Sequence, residues 1–205
     1  MDTIVFFAVL FSAFLHAIWN SMASKYKNKD VSIPAIVYGH VPACMVAIIF
    51  LPMPSIESFP YIIISAVIHQ GYQNFLLSAY QTGKFTTVYP VARGFGPLVA
   101  TIISIIFLGV YLKTFTLISI FLISTGVILI GLFSKSILNN YKILYTSLAT
   151  GVFIGMYSII DGYGARISMS AISYMSWVFI FSALFFPFIL KFRGKKNILK
   201  KTLTE

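Results

Sequence analysis

The chain has 205 residues, of which 59% are hydrophobic and 10% charged, and its formal net charge is +10. A water-soluble domain of this length covers itself with about a quarter charged residues, so this composition and a mean hydropathy of +0.91 exclude one and point to a membrane. A single cysteine, Cys44, excludes an internal disulfide framework and any cysteine-based metal cluster.

Crossing ~30 Å of hydrocarbon as a helix takes ~20 apolar residues. Seven stretches reach that length, at about 3–22, 33–53, 61–80, 86–108, 115–133, 144–163 and 170–190. Water is absent there, so backbone groups must be satisfied within the segment, and the spans are predicted to be helices. A transmembrane barrel requires alternating polarity, which IIISAVI (62–68) and IISIIFLGV (102–110) lack. The fold class predicted is therefore an all-α integral membrane protein of about seven transmembrane helices. The first stretch reads as a span rather than a cleaved signal peptide. It starts at Asp2, its apolar run is long, and its basic residues Lys25, Lys27 and Lys29 follow it.

In that first stretch Ser12, His16 and Asn20 recur every four residues and share one face, with Trp19 beside them. Lipid penalises such a face, so it either hydrogen-bonds to other helices or meets a solute. The third stretch holds His69, Gln70, Tyr72, Gln73 and Asn74, the most polar run inside any span. Their four-residue spacings gather them on part of the helix, where they are predicted to line a cavity.

The fourth stretch opens with VYPVARGFGP (88–97), which combines two prolines, two glycines and an arginine. Arg93 lies about 10 Å into its span at ~1.5 Å per residue. An arginine at the helix centre costs ~2.5–3.5 kcal/mol to insert, relieved in part if it snorkels to the surface. Pro97 lacks a backbone donor and its ring meets the carbonyl of Arg93, so Pro90, Gly94, Gly96 and Pro97 are predicted to kink or open the helix there. Irregular backbone at that depth belongs inside protein or against a cavity. Arg93 is thus a candidate ligand for a polar or anionic solute, and the glycines either give it room or let a neighbouring helix approach closely.

Acidic residues are few: Asp2, Asp30, Glu57, Asp161 and Glu205. Paired-carboxylate catalysis has no raw material, and the chain is not expected to be an enzyme. Asp161 is either a residue near the outer surface, beside Arg166, or the carrier of a coupled proton. His16, His40 and His69 lie on three different stretches with no HxxxH or HExxH spacing, so neither a metal site nor a cofactor is predicted.

Counting alternate connections places Lys25, Lys27, Lys29, Lys84, Lys135, Lys142, Lys191, Arg193, Lys195, Lys196, Lys200 and Lys201 on one side, and Lys113 and Arg166 on the other. The net charge therefore reads as orientation, not nucleic-acid binding: N-terminus outside, basic tail 191–205 in the cytoplasm, where it can also meet anionic lipid. A shift of about 138 residues sets HAIWNSMASK against GMYSIIDGYGAR, and 33–53 against 170–190. Five helices separate these copies, and an odd number inverts the second copy, as in many secondary transporters. The reading is one complete five-helix repeat over 1–135, followed over 136–190 by the first two helices of an inverted second repeat.

HAIWN (16–20), AYQTGKFTTVYPVARGFGPLVA (79–100), LISTGVILIG (122–131) and YSIIDGYGAR (157–166) together resemble EamA-type permeases of the drug/metabolite transporter superfamily. The resemblance implies two inverted five-helix repeats that move small metabolites across a bacterial inner membrane by alternating access. It also implies a central pocket, here at Trp19, Asn20, Tyr72, Tyr89, Arg93 and Tyr157, to which the polar faces add His16, His69 and Gln73. The sequence departs from the family in two ways: three further helices are missing, and Val110 stands where an acidic residue usually follows the glycine. Those helices are expected either from a second copy in a homodimer or another chain, or not at all, in an inactive truncated remnant. A seven-helix receptor is a further alternative, although 170–190 has no lysine for a retinal Schiff base. For the topology, an alkaline phosphatase fused within 54–58 is expected to be active on intact bacterial cells and one fused after Glu205 inactive. The reverse pattern would overturn the lysine count.

Overall fold

The structure, a computed structural model, describes residues 3–25, 29–133 and 140–192. The described residues are helical with short connections: α1 (Thr3–Lys25), α2 (Lys29–Gly39), α3 (Val41–Phe50), a 3-10 turn (Ile56–Ser58), α4 (Phe59–Thr82), α5 (Phe85–Leu108), α6 (Thr114–Leu132), α7 (Tyr141–Ile167) and α8 (Ala171–Phe192). Four segments are long and apolar enough to cross a membrane: Phe85–Leu108, Thr114–Leu132, Tyr141–Ile167 and Ala171–Phe188. At 24 residues α4 has the length, but His69, Gln70, Gln73 and Asn74 lower its hydropathy.

The second predicted span is two helices, α2 and α3, which meet at His40. Pro42 follows at the start of α3 and cannot donate to the carbonyl one turn back, so the ladder is interrupted while His40 itself keeps a helical backbone (φ −78°, ψ −26°). The fourth span corrects the expectation the other way. α5 is one helix through both Pro90 and Pro97, so the prolines, each of which removes a single backbone donor, do not open it.

The glycines of this region make seams instead. A β-carbon at Gly94 would stand 2.9 Å from the Ser124 carbonyl oxygen of α6, and one at Gly131 of α6 would stand 2.9 Å from the Thr87 carbonyl oxygen of α5. On the other flank, a β-carbon at Gly151 of α7 would stand 2.8 Å from the Ala92 carbonyl oxygen, one at Gly155 would stand 2.6 Å from the Val99 side chain, and one at Gly96 of α5 would stand 2.6 Å from Ile154. α5 is thus clasped between α6 and α7 at backbone contact, the arrangement that small residues allow between membrane helices.

Three apolar clusters complete the interior. Val37, Leu76, Leu77, Ala183, Phe186 and Leu190 join α2, α4 and α8; Ala79, Val88, Val91 and Ile143 join α4, α5 and α7; Ile62, Tyr174 and Val178 join α4 and α8. The outward face of α6 presents Phe121, Leu122, Ile123 and Ile130 exposed. Only 11% of its apolar window is buried within the protein, so the remainder requires lipid or another apolar surface. At one end of the bundle the segment before α4 is latched to the end of α7: Ser55 donates its backbone N–H to Ser168 O (3.3 Å) and its hydroxyl to Ile167 O (2.8 Å).

Gly151→Val is expected to lower stability by about 1–3 kcal/mol, because the added atoms meet α5 backbone that cannot yield. Gly126→Ala, with nothing within 4 Å of the added carbon, should leave it unchanged or slightly raised. Thermal unfolding of both proteins in detergent separates the two; equal loss in both would show that the seam is not tight.

Candidate functional site

α4, α5 and α7 line a narrow, partly open cleft with about 10 Å³ of internal space, room for about one water. α4 contributes Tyr72, Leu76 and Tyr80; α5 contributes Tyr89, Ala92 and Arg93; α7 contributes Thr150 and Ile154. Spacing explains the first two sets, since positions 72, 76 and 80, and 89 and 93, lie one helical turn apart on a single face. Arg93 Cζ sits 5.6 Å from the centre of the Tyr89 ring. Such a cation–π contact is worth about 0.5–1 kcal/mol when exposed and ~2 kcal/mol when dry. Phe85 supports the wall, stacking on Tyr89 (4.9 Å, 23°) and lying against Tyr80 (5.7 Å). The Arg93 charge also acts on Tyr72, Tyr80 and Tyr157.

Tyr157 joins this cleft to a second polar group. Its ring lies edge-on to Tyr72 (5.5 Å) and is stacked on His69 (4.3 Å, 26°). His69 is buried, and its Nδ1 is 3.0 Å from the Ser65 carbonyl oxygen. The Ser65 hydroxyl lies 3.2 Å from the same nitrogen, so the tautomer decides which of these two partners it serves. Asp161 follows one helical turn after Tyr157 on α7. It is 9% exposed and accepts a hydrogen bond from the Tyr174 hydroxyl of α8 (3.2 Å). Gly164 has no side chain where the Tyr174 ring passes, which lets that hydroxyl reach the carboxylate.

The position of Asp161 corrects the expectation of a surface residue beside Arg166. α7 runs to Ile167, three or four residues past the predicted end, and carries Asp161 inside the bundle while Arg166 is exposed. Asn140 caps its start (Lys142 N–H to Asn140 Oδ1, 3.1 Å), and at the other end no proline interrupts the helix before Ser168 and Met169, the latter with φ 66°.

The predicted site residues divide accordingly. Arg93, Tyr72 and Tyr89 line one cleft, and Tyr157 and His69 adjoin it. Gln73 faces elsewhere: its Nε2 donates to Ser182 Oγ of α8 (3.2 Å), as does that of Gln70 (2.9 Å), which also bonds Ser182 O (2.8 Å). These amides tie α4 to α8, and among the described residues neither Oε1 has a partner. His16, Trp19 and Asn20 belong to α1, but their side chains lie outside the described residues. Among the described residues no group of three His, Cys, Asp or Glu is placed to hold a metal ion. Tyr80 and Tyr174 were missed by the sequence reading. Tyr80 is legible as the next turn after Tyr72 and Leu76, whereas nothing in the linear pattern marks Tyr174.

Comparison of the chain with protein-family models, with curated proteins and with solved structures finds no match. Ser182→Ala removes the oxygen that serves two buried amides and is expected to cost about 1–2 kcal/mol in thermal unfolding. Ser182→Gly, which deletes the same oxygen, should cost at least as much; no loss in either would show that the amides are satisfied elsewhere.

Proposed function

We propose that the chain is a secondary transporter, an EamA-like permease of about seven spans that carries a small anionic or zwitterionic solute across a bacterial inner membrane by alternating access. The observation that carries this reading is Arg93, set within a membrane-length apolar helix and facing a cleft lined by tyrosines of α4 and α5 and by Thr150 and Ile154 of α7. A lone structural arginine in hydrocarbon would be costly. One facing a cleft offers a planar set of donors for a carboxylate, sulfonate or phosphate, and the surrounding phenol rings accept the apolar part of an amphipathic solute. α4 and α5, which supply most of the cleft's lining, are joined by a short turn at Gly83–Lys84.

The repeat reading has support of its own. α2 and α3 pack against α8, the helix that the shift of about 138 residues makes their counterpart. Tyr38 lies edge-on to Phe186 (6.2 Å) and His40 stacks on Phe179 (5.1 Å). Helices related by an inverted repeat commonly meet at the repeat interface. In this reading 1–135 is the complete repeat, 136–190 the beginning of the second, and the N-terminus lies outside.

The reading is tested by uptake and efflux of a panel of amino acids and aromatic carboxylates and sulfonates in proteoliposomes. Arg93→Ala is expected to reduce flux of the accepted solute about tenfold or more, the loss of one charge-assisted contact, and Arg93→Lys to retain part of it. Flux indifferent to both substitutions would sink the proposal.

A further inference from the structure

We infer that the seam between α4 and α8 contains a binding site for one small uncharged molecule that both donates and accepts hydrogen bonds, namely water, held by Gln70, Gln73 and Ser182. The site goes beyond the transport reading and stands without it. At ~3.6 residues per turn, position 70 falls on the far side of α4 from Tyr72, so this site is separate from the Arg93 cleft.

Gln70 is 8% exposed. Its Nε2 lies 2.8 Å from the Ser182 carbonyl oxygen and 3.3 Å from that of Ala66. Both oxygens only accept, so the nitrogen end of this amide is fixed and Oε1 faces the other way. The Oε1 atoms of Gln70 and Gln73 are both buried and, among the described residues, neither has a donor. The two Nε2 atoms donate instead to the buried Ser182 hydroxyl, at 2.9 and 3.2 Å. Two donors occupy both lone pairs of that oxygen, which leaves its own proton to be given away.

The remainder is two acceptors and one donor gathered about a single serine. Water has the complementary set: it donates twice, to the two amide oxygens, and accepts once, from the Ser182 hydroxyl. Three bonds are typical of a buried water. A metal cation matches less well, because the hydroxyl lone pairs it would use are already taken by the amides. An anion would face two carbonyl oxygens and is excluded. An orphaned amide oxygen in an apolar interior is destabilising, and one water satisfies two of them at once. α4 and α8 are then tied both by direct amide bonds and by a bridge that can exchange.

Crystals of the full chain grown in rubidium chloride, at a resolution that shows ordered water, test the site directly. One peak without anomalous signal is expected within hydrogen-bonding distance of Gln70 Oε1, Gln73 Oε1 and Ser182 Oγ. An anomalous peak there makes the ligand a cation and overturns the assignment to water. No peak, another side chain in that place, or a Gln73 amide turned to meet Gln70 Oε1 directly overturns the site. Thermal unfolding in detergent tests the sharing in solution, with Ser182→Ala as the parent so that the two glutamines have no direct partner in common. There Gln70→Leu and Gln73→Leu together are expected to lower the melting temperature by less than the sum of their separate effects. Additive falls show that the two amides are satisfied independently and overturn a shared water.

Discussion

The approach of α5 to α7 at backbone distance determines where every polar side chain near the middle of this bundle can lie. Gly96, Gly151 and Gly155 leave room for Ile154, Phe95 and Val99 of the opposite helix to pack directly on bare backbone. The helices therefore meet along a line, and residues flanking that line, Tyr89 and Arg93 on one, Thr150 and Tyr157 on the other, are brought to a common space. α4 closes that space with Tyr72 and Tyr80. A larger residue in the seam would part the helices and widen the cleft, separating Arg93 from the rings around it. Packing comes first here, and the electrostatics of the site follow from it.

The same seam explains a combination of residues that looks contradictory in a linear reading. Prolines and glycines beside an arginine suggest a helix that opens to free its backbone, and α5 does not open. In this helix each proline removes one donor, while each glycine presents bare backbone to a neighbour. The apolar stretches were sufficient to locate the helices, because hydrocarbon leaves the backbone no alternative. The break at His40 was not legible, since Pro42 sits at a depth where either a kink or a new helix start is compatible with the same residues.

The site was legible in part for a physical reason. Spacing along one helix puts Tyr89 under Arg93 and Tyr80 above Tyr72, so a single segment already contains those relations. Relations between helices depend on rotation and height, which no single segment encodes. Gln73 has the same local pattern as His69, yet it turns to Ser182 while His69 turns to Tyr157. Asp161 needed one further fact, the length of α7: a few residues of additional helix convert a surface carboxylate into a buried one.

The latch between Ser55 and the end of α7 consists of hydroxyl and peptide groups alone. Every bond in it has a close equivalent with water, so undoing it exchanges partners rather than losing them. Salt should leave it almost untouched, since no full charges are engaged. The cleft lies nearer the opposite end, toward the turn between α4 and α5. At the end away from its cavity the bundle therefore carries a fastening that is nearly neutral in free energy.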